Sequence, residues 1–232
     1  MRDEQLITIN SAYPWGRTFD EYVAMFALSE TDLRLCIVSC ADGPASFNAE
    51  LNRRGHRAIS CDPLYQFSAA EIRRRIAQTR DLLIKRLQEN AHFFAWTQIR
   101  SREELSRLRK QAMRDFLIDY PLGLRQGRYL SQSLPRLDFG DNFFDIALCS
   151  HFLFLYSDGL PLDFHLKSIL EMCRIARDVR IFPLRTMQAE PSPHLAAVID
   201  ELTRLNFKCD VVTVSYEFLR GANQMLRITR LP

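Results

Sequence analysis

The chain lacks most of the features that would settle its class at once. No stretch reaches the roughly 18 apolar residues a membrane span needs, and the opening MRDEQLITINSAYPW has no apolar run of secretory length, which reads as a cytoplasmic protein with no membrane partner. The six cysteines, at 36, 40, 61, 149, 173 and 209, include no CxxC pair. Four of them fall in or beside segments read as buried strands, so they are expected to serve as small apolar residues and not as metal ligands or disulfides. No internal repeat and no low-complexity segment is visible, and a formal charge of +3 is too small by itself to argue for nucleic acid. At 232 residues, 47% hydrophobic and 25% charged, the composition is that of an ordinary globular chain, long enough for one α/β domain with a decorated edge.

What is present is organised around residues 35 to 62. The apolar run Leu35 to Val38 is too short for a helix and of the type a doubly buried strand shows. The turn Ala41, Asp42, Gly43, Pro44, Ala45 follows, and Ser46 is then placed to cap a helix with Phe47 and Leu51 on one face and Gly55 at its C-terminal cap. A second strand, Arg57 to Cys61, delivers Asp62 at its carboxyl end. A nucleoside cofactor lying across parallel strand ends needs close backbone approach at the first turn and an acceptor for its ribose hydroxyls after the second strand. Asp62 is the candidate acceptor; the plain alternative is that it caps the next element.

The segments GPASF, EL, RGH and CDP resemble the first two motifs of the class I S-adenosylmethionine-dependent methyltransferases. In that family an acid, a GxGPGSF-like loop and a second acid recur. Here Ser39 stands in place of the first acid, and Ala41 and Ala45 replace glycines. The resemblance implies S-adenosyl-L-methionine as cofactor, with Ser39, Ala41, Asp42 and Gly43 near its methionine end and Asp62 and Pro63 near its ribose.

Ahead of this unit, residues 1–34 form an N-terminal helical segment. Phe19, Tyr22, Val23 and Phe26 are spaced for an amphipathic helix starting near Thr18 or Asp20. By the resemblance, Tyr13, Trp15 and Arg17 are candidates for the pocket wall. After it, no strand pattern appears for over sixty residues. Residues 65–128 instead read as a helical insertion, with helices from Ser68 to Glu89 and from Ser101 to Asp119 and an aromatic turn, His92, Phe93, Phe94 and Trp96, between them. This insertion holds fourteen basic residues against seven acidic ones. A basic lid beside a cofactor site suits an anionic small-molecule substrate, with RNA as the second class; the plain alternative is solvated helix faces with pairs such as Glu103 to Arg107. The insertion also offers a homodimer contact.

A short third strand, Arg128 to Ser133, precedes Leu137, Asp138, Phe139, then Asp141 to Asp145, the strand Ile146 to Cys149, and Ser150 and His151. The order resembles the later methyltransferase motifs, which places Ser133 and Leu134 at the adenine and adds Ser150 to the cofactor contacts. His151 and Tyr156 follow the fourth strand and are the catalytic candidates, His151 as a general base toward a hydroxyl or amine. Residues 178–184 read as a fifth strand broken by Pro183, residues 193–205 as a helix, and Cys209 to Phe218 with Gln224 to Arg230 as a closing antiparallel hairpin.

The expectation is therefore a single α/β domain: a Rossmann-like seven-stranded methyltransferase sheet, mostly parallel, with a helical insertion after strand two, transferring a methyl group from S-adenosylmethionine. Two rivals stand beside it. One is a degenerate methyltransferase-fold binding protein that uses the basic insertion for a macromolecular partner. The other is a nicotinamide-dependent oxidoreductase, weakened by GPASFN in place of GxGxxG.

Overall fold

The computed structural model describes residues 15–89 and 91–231, with residues 80–88 described by their backbone alone; Tyr13 lies outside the described residues. Ile37–Cys40 (β1) is buried at all four positions, as a strand covered on both faces must be. It lies between two parallel neighbours, Ala58–Cys61 (β2) and Phe144–Ser150 (β4). With Tyr129–Leu130 (β3), Ala176–Phe182 (β5), Phe207–Thr213 (β6) and Gln224–Arg230 (β7), the sheet order is β3-β2-β1-β4-β5-β7-β6. Only β7 runs antiparallel to its neighbours β5 and β6. This is the Rossmann-like methyltransferase sheet with its closing hairpin. Strand order reverses between β1 and β4, so the ligand crevice of such a sheet opens at their carboxyl ends.

Most strand boundaries differ from the sequence reading: β2 starts one residue later, β4 is longer at both ends, β5 lies two residues earlier, and β6 starts two residues earlier and ends at Thr213, not Phe218. β1 begins at Ile37 and not Leu35, because the Cys36 carbonyl accepts from both Asp145 and Ile146 N–H while the Asp145 carboxylate takes the Cys36 N–H, a bulge that delays the ladder. β3 is two residues long: beyond Leu130 the chain turns back, with Gln132 N–H donating to the Leu130 carbonyl.

Helices cover both faces. Phe19–Met25 (α1), Phe47–Arg53 (α2) and Arg102–Arg125 (α4) pack Phe26, Phe47, Leu51 and Leu105 against Ile37 and Leu148. Leu162–Ile175 (α5) and Leu195–Arg204 (α6) pack Ile169, Met172 and Val198 against Val38, Cys40 and Cys149 on the other face. Each fully buried Phe or Leu contributes about 1.5–3 kcal/mol of transfer free energy. All six cysteines are free thiols, and no helix among the described residues is long and apolar enough to cross a membrane.

Thr18 caps the first helix as the sequence suggests, and Ser101 caps α4 by accepting the Glu104 N–H, although the Glu104 carboxylate takes the Arg100 N–H and so closes no reciprocal box. Thr18 and Glu21 form a reciprocal capping box on α1. Gly55, at φ 81°, follows α2, with His56 N–H returning to the Leu51 carbonyl. Ser46 occupies the N-cap of α2 without a side-chain cap bond; its backbone N–H donates to the Arg17 carbonyl instead, at 3.0 Å.

Between β2 and β3 lie Ala69–Glu89 (α3), α4 and the turn between them. α4 runs six residues past Asp119, through Pro121. Its last turns are held because Tyr120 packs among Tyr65, Phe116 and Tyr129 and donates to the Tyr65 and Phe67 carbonyls, both at 2.9 Å. Arg107 lies 4.0 Å from Glu104, and not against Glu103. The basic residues are not all solvated: Arg109 is buried, and Arg128 makes a two-pronged pair with Asp119, both bonds at 2.7 Å, while bonding Asn48 of α2. The aromatic turn packs within the chain, Phe94 stacking on Phe218 at 4.7 Å with Trp96 edge-on at 5.7 Å.

Candidate active site

Asp62 caps the short turn Pro63–Gln66, Oδ1 accepting from Leu64 N–H at 2.7 Å, and its Oδ2 accepts the N–H of Gly43 at 2.9 Å. The carboxylate after β2 thus fixes the backbone of the turn after β1. Burial pushes the Asp62 carboxyl up to about 6 against these two donors, which favour its ionised form, and nearby Asp42 adds to the rise. Gly43 has φ 55°, and a Cβ built on it would meet nothing within 4 Å. Its Cα faces open space beside the switch point, the close backbone approach that a ligand requires. Ala41 adopts φ 55° as well, strained for a residue with a Cβ, and its N–H is tied to the Cys61 carbonyl at 2.8 Å.

Asp42 points inward. Its carboxylate accepts from three hydroxyls: Ser39 Oγ at 2.5 Å, Ser60 Oγ at 2.6 Å and Tyr22 Oη. Burial raises the Asp42 carboxyl above its ordinary value despite those donors. Ser39, in the position of the family's first acid, is therefore committed to an internal carboxylate. Pro63 opens the turn capped by Asp62.

The N-terminal segment straps the first loop. A Cβ on Gly16 would come 2.0 Å from the Pro44 carbonyl oxygen, so only glycine allows the strap to lie this close. From this strap and α1 come the residues of a second polar group. Glu21 in α1 forms a buried, two-pronged ion pair with Arg109 of α4, and Tyr216 Oη donates to the same carboxylate at 2.8 Å. Arg109 Nη1 also donates to the Gly16 carbonyl at 3.2 Å, and Arg17 Nη1 donates to the Trp15 carbonyl at 2.8 Å. Burial opposes the ionised Glu21, but Arg109 overrides it and holds the carboxyl well below its usual range. Burial and the adjacent Arg109 lower Arg17.

His151 follows β4 at φ 51°, its N–H bonded to the Phe182 carbonyl at 2.7 Å and its Nδ1 2.9 Å from Ser150 Oγ. Burial, then the charges of Arg17 and Arg109, pull its pKa well below the ordinary histidine value, leaving a neutral imidazole at pH 7. The Tyr156 ring lies 6.3 Å from Phe152, whose ring packs edge-on to Phe164 of α5, whereas His151 faces Phe182 on the α1 side. Leu134 is buried in the α5-side core, so its side chain is a packing group, while Ser133 is exposed.

Sequence reasoning passed over Glu21, Arg109 and Tyr216. A signal existed for the arginine: Arg109 falls four residues after Leu105 and three before Ala112, a charge on the buried stripe of α4. Tyr216 carries none.

The sheet order and the Gly43–Asp62 crevice define an α/β protein of the Rossmann-like methyltransferase fold. Over 216 residues the chain is 33% identical to an uncharacterized protein of Methanocaldococcus jannaschii, covering 93% of this chain and 95% of that protein, and it belongs to the same family. No family model matches it. Among solved structures it is similar to a magnesium protoporphyrin IX methyltransferase from Synechocystis with bound S-adenosylmethionine, at 13% identity and TM-score 0.49, covering 100% of this chain and 98% of that one. It is also similar to a putative RNA methyltransferase from Pyrococcus horikoshii, at 11% identity and TM-score 0.46, covering 91% and 82%.

Proposed function

We propose that this chain is an S-adenosylmethionine-dependent methyltransferase acting on a small-molecule acceptor. The observation that carries the reading is the pairing of Gly43 with Asp62, an open glycine Cα and a partly buried carboxylate locked together at the ends of β1 and β2. Those residues fit a nucleoside thioether: Asp62 would accept from the ribose hydroxyls, and the backbone of Ala41 and Gly43 with Ser150 would line the methionine end. Ser39 fits less well, because its hydroxyl is bound to Asp42.

When bound, the cofactor supplies an electrophilic methyl group, which an acceptor lone pair takes as the carbon–sulfur bond breaks and its electrons return to sulfur. The protein's part is then alignment, exclusion of water and removal of one proton from a hydroxyl or amine nucleophile. His151, neutral and beside Ser150, is the base in this scheme. A thermal-shift comparison tests the class: S-adenosylhomocysteine should raise the melting midpoint and NADH should not. The reverse result would make the crevice a nicotinamide site.

A second reading follows from Asp42 and Ser39. With the hydroxyl that replaces the first acid turned to an internal carboxylate, the fold would serve as a binding protein whose partner meets the basic insertion. Absence of any shift with either nucleoside, in a folded protein, supports it.

A further inference from the structure

Arg17 and Arg109 converge on Trp15, their guanidinium carbons 5.8 and 5.5 Å from its ring centroid. Glu21 is the carboxylate bonded to this group, and His151 is neutral, so among the described residues two cations face one anion, an excess of one positive charge. Among the described residues, the Nε atoms of these same two arginines are the buried side-chain nitrogens with no hydrogen-bond partner. Arg109 is only 1% exposed. An unpaired buried N–H of a charged group costs more than the 1–3 kcal/mol of a neutral one, and two such groups on adjacent like charges are held at a cost that a bound anion would remove.

Resting on the methyltransferase reading, we propose that Arg17 and Arg109 form a carboxylate-binding subsite for the methyl acceptor, which is a small carboxylic acid seated against Trp15. The excess of one charge matches a carboxylate. A phosphomonoester, carrying about −1.5 to −2 at pH 7, would bring uncompensated charge against Glu21.

The test uses benzoate as probe, with benzamide as its uncharged shape-mate and inorganic phosphate as the competing anion, read by tryptophan fluorescence and thermal midpoint with and without S-adenosylhomocysteine. Benzoate should bind saturably, and benzamide and phosphate at least tenfold more weakly. Arg17→Gln keeps the Arg17 carbonyl that holds Ser46 and leaves the Glu21–Arg109 pair whole, and should weaken benzoate about tenfold or more, the scale of a charge-assisted hydrogen bond, while leaving S-adenosylhomocysteine affinity unchanged. Arg109→Lys retains the charge opposite Glu21 without Nε and should also weaken benzoate. Equal binding of benzoate and benzamide, or tighter binding of phosphate, overturns the proposal. Loss of S-adenosylhomocysteine affinity in Arg17→Gln, with benzoate competing against it, would assign the pair to the cofactor's own carboxylate and also overturn it. If benzoate binds as expected but no nucleoside does, the subsite stands and the methyltransferase reading fails.

Discussion

Asp62 and Gly43, nineteen residues apart, are joined by a hydrogen bond of 2.9 Å from the glycine N–H to the carboxylate. One side chain thus serves two purposes, holding the loop that follows β1 and offering its remaining lone pairs at the strand ends. Asp62→Ala should lower stability by about 1–2 kcal/mol through the lost cap and loop bond, and should weaken S-adenosylhomocysteine binding at least tenfold. Denaturant titration and calorimetry on the same variant separate the two effects; unchanged affinity would remove Asp62 from the site.

The raised pKa of Asp62, about 6, gives binding a pH dependence. Ribose hydroxyls are accepted by the ionised carboxylate, so affinity should be flat above about pH 6 and fall by up to tenfold per unit below it. Stability moves the other way. The folded protein holds a proton that an unfolded aspartate, with its pKa near 3.9, releases, so this group favours folding more as pH drops from about 6 to 4. Calorimetric titrations taken from pH 8 down to pH 5 should therefore show affinity lost while the melting midpoint is not lowered by this residue.

Gly16→Ala tests the strap. Its Cβ would sit 2.0 Å from the Pro44 carbonyl, so either the N-terminal segment or the first loop must shift. A destabilisation of about 1–3 kcal/mol, as for overpacking, should accompany weaker nucleoside binding; a variant with wild-type stability would show that the strap does not lie against the loop.

Glu21→Gln leaves Arg109 buried without its anion. The expected loss is about 3–5 kcal/mol, visible as a lower denaturant midpoint, and a double-mutant cycle with Arg109→Met should recover part of it. Purely additive losses would contradict a direct pair.

The frame of the fold was legible because its signals are local. The β1–β2 unit, the start of the first helix near Thr18, and the closing hairpin each lie within short stretches of sequence. Boundaries failed where a distant residue decides them: Asp145 delays β1 through Cys36, and Tyr120 carries α4 past Pro121 by bonding Tyr65 and Phe67. The candidate site was half legible. Asp62 and Gly43 follow from motif and spacing, whereas Glu21, Arg109 and Tyr216 meet across as many as 195 residues of chain, and no local pattern records that meeting.

The most direct test is calorimetric titration of the purified protein with S-adenosylmethionine, followed in parallel by its melting midpoint. The account predicts saturable 1:1 binding and, at a hundredfold excess over the dissociation constant, a stabilisation of about 2.7 kcal/mol, or a midpoint raised by roughly 5–11 °C. No heat and no shift at millimolar ligand, with the protein folded, would contradict it.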